Sequence, residues 1–140
     1  MAAGSGLRSL PMKRHRVLLV DDEIGITRTL ALYLEEAGGC DVRIETHGSR
    51  ALITAREFRP HLILMDLVMP DSDGATVAAD IQSDPVLHGT PIVFLSALTS
   101  QRDTGQALSR IDGHPFLAKP VDPDTVLAFI EKYASSEDLP

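Results

Sequence analysis

Apolar residues are distributed along this chain in short, regularly spaced blocks. Val17-Leu18-Leu19-Val20, Leu62-Ile63-Leu64-Met65 and Ile92-Val93-Phe94-Leu95 are continuous runs of four, each bounded by polar or turn-forming residues. Runs of this length without alternation suit strands buried on both faces, as in the middle of a parallel sheet. Val42, Ile44 and Thr46 instead alternate with Asp41, Arg43 and Glu45, the pattern of a strand with one covered face, which places it at a sheet edge. Helical spacing lies between these runs. Ile26, Leu30, Leu34 and Ala37 form a stripe that stops at Gly38-Gly39, and Val77 and Ile81 mark a shorter helix after Gly74. The last helix carries Asp122 as a cap, Pro123 in its first turn, Asp124 at the positive end of its dipole and a stripe of Leu127, Ile130 and Tyr133. Between Thr99 and Pro115 the helical pattern is thin, with Ala107, Leu108 and Ile111 set against an interior Gly105. His114 to Ala118 reads as a fifth strand.

Strands and helices alternating at this spacing predict a doubly wound α/β fold. In such a sheet, ligands bind beyond the carboxyl ends of the strands. Asp21 and Asp22 follow the first apolar run, Asp66 follows the third, Ser96 the fourth and Lys119 the fifth strand, so strand direction alone gathers all five at one edge. Crowded carboxylates repel and raise one another's pKa unless a cation offsets them. Mg²⁺ suits such a set, because it takes one or two carboxylates and a carbonyl and leaves positions for phosphate oxygens. Three carboxylates, one lysine and one divalent cation sum to about zero, and a carboxylate beside the metal is then a nucleophile toward phosphorus.

Val20-Asp21-Asp22-Glu23, Asp66-Leu67-Val68-Met69-Pro70-Asp71-Ser72-Asp73-Gly74, Ser96-Ala97 and Lys119-Pro120 occur in the order and at the separations of the four signature segments of response-regulator receiver domains. The chain resembles that family over about residues 16 to 134. The resemblance implies a flavodoxin-like fold, a five-stranded parallel sheet in the order 2-1-3-4-5 flanked by five helices. It implies Asp66 as phosphoacceptor, Asp22 as a direct Mg²⁺ ligand, Asp21 as a ligand through water and the Val68 carbonyl as the remaining protein ligand. Ser96 and Lys119 would each hold a phosphoryl oxygen, and the Lys119–Pro120 bond is often cis in the family. Phe116, three residues before Lys119, stands where the family has an aromatic switch residue, often Tyr; Phe lacks the hydroxyl and is left to act through packing. The implied function is two-component signalling. A histidine kinase or histidine phosphotransfer protein supplies the phosphoryl group, and the domain is a regulatory phosphoacceptor, not a turnover enzyme.

Other readings of the same residues stand beside these. Asp21 and Asp22 can equally cap the helix that begins near Ile24. Asp71 and Asp73 beside Gly74 are turn residues rather than ligands. His15, His47, His61, His88 and His114 have no metal-like spacing, and Cys40, near a helix-to-strand turn, has no assigned role. A Mg²⁺-dependent phosphatase of the haloacid-dehalogenase kind also forms an aspartyl phosphate, but it needs an Asp-x-Asp after the first strand, where this chain has Asp21-Asp22-Glu23. A pseudo-receiver that only binds a partner is disfavoured by the intact acidic set.

Bulk properties narrow the setting. With 140 residues, 44% of them hydrophobic, the chain fits one domain. The expected division is a basic tail at 1–14, a domain at 15–134 and a tail at 135–140. No apolar run approaches the roughly 20 residues of a membrane span, no secretory signal opens the chain and the single Cys40 cannot pair internally, so a cytoplasmic location is expected. Net charge is −7, and Arg8, Lys13, Arg14 and Arg16 make the first sixteen residues +4, which leaves −11 for the rest. An acidic body repels nucleic-acid phosphates. Only seven residues follow Tyr133, so no DNA-binding domain is expected and the signal would pass by contact with another protein or along a phosphorelay.

Overall fold

The computed structural model describes residues 14–97 and 110–134. Five strands run parallel: β1 (Arg16–Val20), β2 (Asp41–Glu45), β3 (Leu62–Asp66), β6 (Ile92–Ser96) and β8 (His114–Ala118). Two short strands, β4 (Val68–Met69) and β5 (Ser72–Asp73), form a separate hairpin after β3. The helices are α1 (Ile24–Gly38), α2 (Ala51–Phe58), α3 (Gly74–Ser83) and α4 (Pro123–Tyr133). A 3₁₀ turn, Gly48–Arg50, leads into α2.

The main sheet runs β2-β1-β3-β6-β8, with β7 (Arg110–Ile111) added antiparallel at the outer edge of β8. The sheet therefore has six strands where five were expected. The reason lies in Asp112-Gly113, which join β7 to β8 with positive φ values of 51° and 83°. A two-residue turn of that conformation is the ordinary closure of a β-hairpin and favours Asp-Gly. Ile111, expected on a helix, instead pairs with His114. Residues 98–109, which hold the rest of the thin helical pattern, lie outside the described residues, as do the tails at 1–13 and 135–140. Four of the five expected helices are thus described.

Side chains alternate between the two faces of the sheet. Leu18, Val20, Ile63, Met65 and Phe94 pack on one face against Ala51, Ala55 and Phe58 of α2 and Val77, Ala78 and Ile81 of α3. Val17, Leu19, Leu62, Leu64, Val93 and Leu95 meet Leu30, Ala31 and Leu34 of α1 and Val126 and Ile130 of α4 on the other. Continuous apolar runs are what a strand covered on both sides requires. The helix faces depart from expectation in part. Thr27, Leu30, Ala31 and Leu34 are the buried residues of α1, whereas Ile26 is 66% exposed and Ala37 is exposed too. The buried stripe is rotated by one residue and takes in a hydroxyl that is satisfied within the helix: Thr27 Oγ1 donates to the Glu23 carbonyl at 2.8 Å. On α4, Val126 and Ile130 are buried, while Leu127 and Tyr133 only border the core.

Helix ends follow local chemistry. Gly39 ends α1 in the left-handed conformation, with its N–H on the Leu34 and Glu35 carbonyls. Asp122 accepts the Thr125 N–H at 3.1 Å and caps α4. The Lys119–Pro120 peptide bond is cis. Among the described residues, no helix is long and apolar enough to cross a membrane.

Candidate functional site

Beyond the carboxyl ends of β1, β3 and β8 the chain brings together Asp21, Asp22, Asp66 and Lys119. Asp21 and Asp66 are each 5% exposed, while Asp22 faces solvent. One oxygen from each of the three carboxylates lies within 4.8 Å of the others, a spacing that could hold a metal ion. A hard divalent cation fits an all-oxygen set with one open side. The capping alternative for Asp21 and Asp22 is not what the structure shows. Glu23 is the N-cap of α1 without a side-chain cap bond, and Asp21 Oδ1 accepts the Glu23 N–H at 3.0 Å, holding the turn that leads out of β1.

The Lys119 ammonium lies 2.9 Å from Asp21 Oδ2, 3.2 Å from Glu23 Oε1 and 3.3 Å from Asp66 Oδ2. Burial by itself would lower its pKa, but the hydrogen bond and charge of Asp21, with Asp66 and Glu23 adding to them, outweigh burial and raise it. Burial raises the Asp66 pKa. The Val68 N–H opposes that rise, Asp21 adds to it and Lys119 opposes it, with a net upward shift. Asp66 Oδ1 accepts the Val68 N–H at 3.2 Å, so its Oδ1 and Oδ2 are oriented separately, by Val68 and by Lys119.

Ser96 is buried at the end of β6, and its carbonyl accepts the Lys119 N–H at 2.7 Å, which fixes the register of the lysine beside the serine. Phe116 pairs with Phe94 across β6 and β8 and is half-buried against the core. Val68 is 79% exposed. A cleft of about 490 Å³ opens over the carboxylates, walled by α1, by Val68 and by Lys119-Pro120-Val121.

Glu23 was not singled out in the sequence, although it directly follows Asp22; only the fold shows that Lys119 reaches it. Asp73 serves its turn by capping α3, accepting from Ala75 N at 3.3 Å and Thr76 Oγ1 at 3.1 Å. Asp71 does more than turn the chain, because it accepts from Gly48 N, Ser49 N and Ser49 Oγ, more than twenty positions away. Glu45, expected on the solvent face of the edge strand, is buried and accepts from Thr54 Oγ1 at 2.6 Å and His47 N at 3.0 Å. His61 is also buried, with Nδ1 accepting the Arg16 N–H at 2.8 Å.

The family model of the response regulator receiver domain matches residues 17–131. The DNA-binding response regulator MtrA of Mycolicibacterium smegmatis is 33% identical over 128 residues, covering 91% of this chain and 54% of that protein. Response regulator Rre1 of Synechocystis sp. is 31% identical over 119 residues, covering 81% of this chain and 49% of its own length. The chain thus spans about half the length of these two relatives. Among solved structures, the chemotaxis response regulator CheY4 of Vibrio cholerae superposes with a TM-score of 0.70 at 27% identity, over 86% of this chain and 98% of that one. The receiver domain of hybrid histidine kinase CckA gives 0.68 at 28% identity, over 84% and 97%. Strand order, an acidic trio with a lysine at the sheet edge and a family match over most of the chain agree, and on that agreement the chain belongs to the response regulator receiver domain family.

Proposed function

We propose that residues 15–134 form a cytoplasmic receiver domain that takes a phosphoryl group onto Asp66 from a histidine kinase or histidine phosphotransfer protein, and that a partner protein reads the resulting change of shape. The observation that carries this reading is the position of Asp66. It is a nearly buried carboxylate at a strand end, with the Val68 N–H on one oxygen and the Lys119 ammonium on the other. In the transfer, an Asp66 oxygen attacks phosphorus as the bond from phosphorus to the imidazole nitrogen breaks. The imidazole leaves with the electron pair and takes up a proton, and the acyl phosphate remains on Asp66. Mg²⁺ held by Asp21, Asp22, Asp66 and the Val68 carbonyl would supply positive charge against the phosphoryl oxygens.

Lys119 serves twice. Before transfer it offsets Asp21 and Asp66, and after transfer its ammonium pairs with a phosphoryl oxygen, which requires it to leave at least one of its present carboxylate partners. Ser96 donates its hydroxyl to another phosphoryl oxygen. Because the Ser96 carbonyl already holds the Lys119 N–H, movement at one is felt at the other, and Phe116 on the same strand as Lys119 follows by packing. The domain is a regulatory phosphoacceptor that acts on its own Asp66. The acidic body argues against nucleic-acid contact by these residues.

The test is uptake of one phosphoryl group from acetyl phosphate, followed by intact mass, with and without Mg²⁺. Uptake should require Mg²⁺ and vanish in Asp66→Asn while the fold persists. Retained labelling in that variant would overturn the assignment.

A further inference from the structure

The nine residues from Asp66 to Gly74 contain a nucleophile that must be held still and a hairpin too short to hold itself. β4 and β5 pair through only Val68↔Asp73 and Met69↔Ser72, and a two-residue ladder is not stable alone. Val68 is 79% exposed, so packing does little for it. The base of the hairpin is secured where Gly74 closes on the backbone of Asp66 and Leu67, its N–H on the Leu67 carbonyl at 2.8 Å.

The tip is secured elsewhere. Asp71 Oδ1 accepts the Gly48 N–H at 3.2 Å and the Ser72 hydroxyl at 3.3 Å. Its Oδ2 accepts the Ser49 N–H at 3.2 Å and the Ser49 hydroxyl at 2.9 Å. The two segments are also in close contact there, since a Cβ at Gly48 would lie 2.0 Å from Ser72 Oγ and 3.0 Å from Met69 Cε. The turn that receives the hairpin is itself anchored, because Glu45 holds it through His47 N and grips α2 through Thr54.

We infer that Asp71 is a positioning residue for phosphoryl transfer: by tying the hairpin tip to Gly48 and Ser49 it keeps Val68 aimed at the site, so that its N–H orients Asp66. This inference rests on the reading of Asp66 as phosphoacceptor and of the acidic trio as a Mg²⁺ site. Release of the tip leaves Val68 held only by the two-residue ladder and the Gly74 closure at its base, and both the orientation of Asp66 and the Val68 carbonyl drift. Loss of a group that orients metal ligands typically lowers affinity or activity by about tenfold or more.

The experiment uses the full 140-residue chain as wild type, Asp71→Ala, Asp71→Asn and Ser49→Ala. Two readouts are followed: the Mg²⁺ concentration giving half of the Mg²⁺-dependent rise in melting temperature, and the rate of phosphorylation by acetyl phosphate. Asp71→Ala should need about tenfold more Mg²⁺ and react more slowly, Ser49→Ala should show a smaller effect, and Asp71→Asn, which keeps one acceptor oxygen but sets an NH₂ against the second backbone donor, should recover only part of the loss. Removing a negative charge near the site would by itself speed reaction with an anionic donor, so a slower reaction reports position and not charge. Amide exchange at Gly48, Ser49 and Val68 should quicken together in Asp71→Ala. An Asp71→Ala variant that melts lower but keeps the wild-type Mg²⁺ midpoint and rate would overturn the inference. Wild type that takes no phosphoryl group on Asp66, or does not respond to Mg²⁺, would overturn the underlying reading and the inference with it.

Discussion

Replacing Lys119 with methionine tests the ion pairing of the site, because methionine keeps most of the side chain's length and removes the charge together with the ammonium's hydrogen-bond donors. In the protein the ammonium sits 2.9 Å from Asp21, 3.2 Å from Glu23 and 3.3 Å from Asp66, and its side chain is 19% exposed. Without it, two nearly buried carboxylates face each other with no cation between them. Removing one partner of a fully buried ion pair costs about 3–5 kcal/mol. Here Glu23 is exposed and water reaches part of the lysine, so screening reduces the loss to about 2–3 kcal/mol. For a domain of this size that is a fall of about 10 °C in melting temperature without metal.

The same argument sets the sign of the metal response. Lys119 competes electrostatically with a divalent cation for Asp21 and Asp66, so the variant should bind Mg²⁺ more tightly than wild type. At a Mg²⁺ concentration about ten times the dissociation constant, linkage contributes about 1.4 kcal/mol, or about 5 °C; the tighter-binding variant should gain more than wild type at any one concentration. Thermal unfolding followed by circular dichroism, with EDTA and across a MgCl₂ series, measures both effects. A variant that melts within a degree or two of wild type in EDTA, or whose Mg²⁺ increment is smaller, would refute the charge balance drawn here.

Two further expectations concern the frame around the site. A Cβ at Gly74 would lie 2.2 Å from the Asp66 carbonyl oxygen and 2.8 Å from Leu67 Cα. Because both contacts are backbone, Gly74→Ala should cost about 1–3 kcal/mol in urea denaturation and slow phosphoryl uptake; wild-type stability together with wild-type uptake would contradict the close approach. His114 is buried edge-on against Phe94 at 5.2 Å. Burial lowers its pKa, with Asp112 and the Ile92 backbone bond opposing and Arg110 assisting. An imidazole whose folded pKa lies below its unfolded value of about 6.5 stabilises the fold above that pH and loses this contribution as pH falls through the folded value. Melting temperature should therefore drop between pH 7 and pH 5, and His114→Gln should flatten that part of the profile; an unchanged slope would assign the acid sensitivity to other groups.

What the chain determines by itself follows from short-range rules. Four-residue apolar runs require cover on both faces, so β1, β3 and β6 are legible as inner strands wherever they occur. Asp122-Pro123 and Gly38-Gly39 mark helix ends through bonds made within a few residues. Strand direction alone then brings Asp21, Asp22, Asp66, Ser96 and Lys119 to one edge, because every parallel strand delivers its last residue to the same side. The Asp112-Gly113 hairpin was equally local, with a turn signal present in the sequence but masked by a thin helical pattern that placed Ile111 on the wrong element.

Other features had no local signal, since they depend on which faces and turns the packed elements bring together. Glu45 alternates as a solvent-facing residue should, yet it is buried, because the Thr54 hydroxyl and the His47 N–H meet both of its oxygens. Ile26 fits an apolar stripe but is left exposed, because the sheet selects the face containing Thr27, whose hydroxyl is satisfied within its own helix. Asp71 reads as one more turn acid until the fold sets Gly48 and Ser49 against it, and Glu23 reads as surface until Lys119 arrives from β8. Periodicity and capping depend on neighbours within a turn or two, so the chain alone settles them. Which acid meets which donor depends on how strands more than twenty residues apart are packed, and tertiary structure alone decides that.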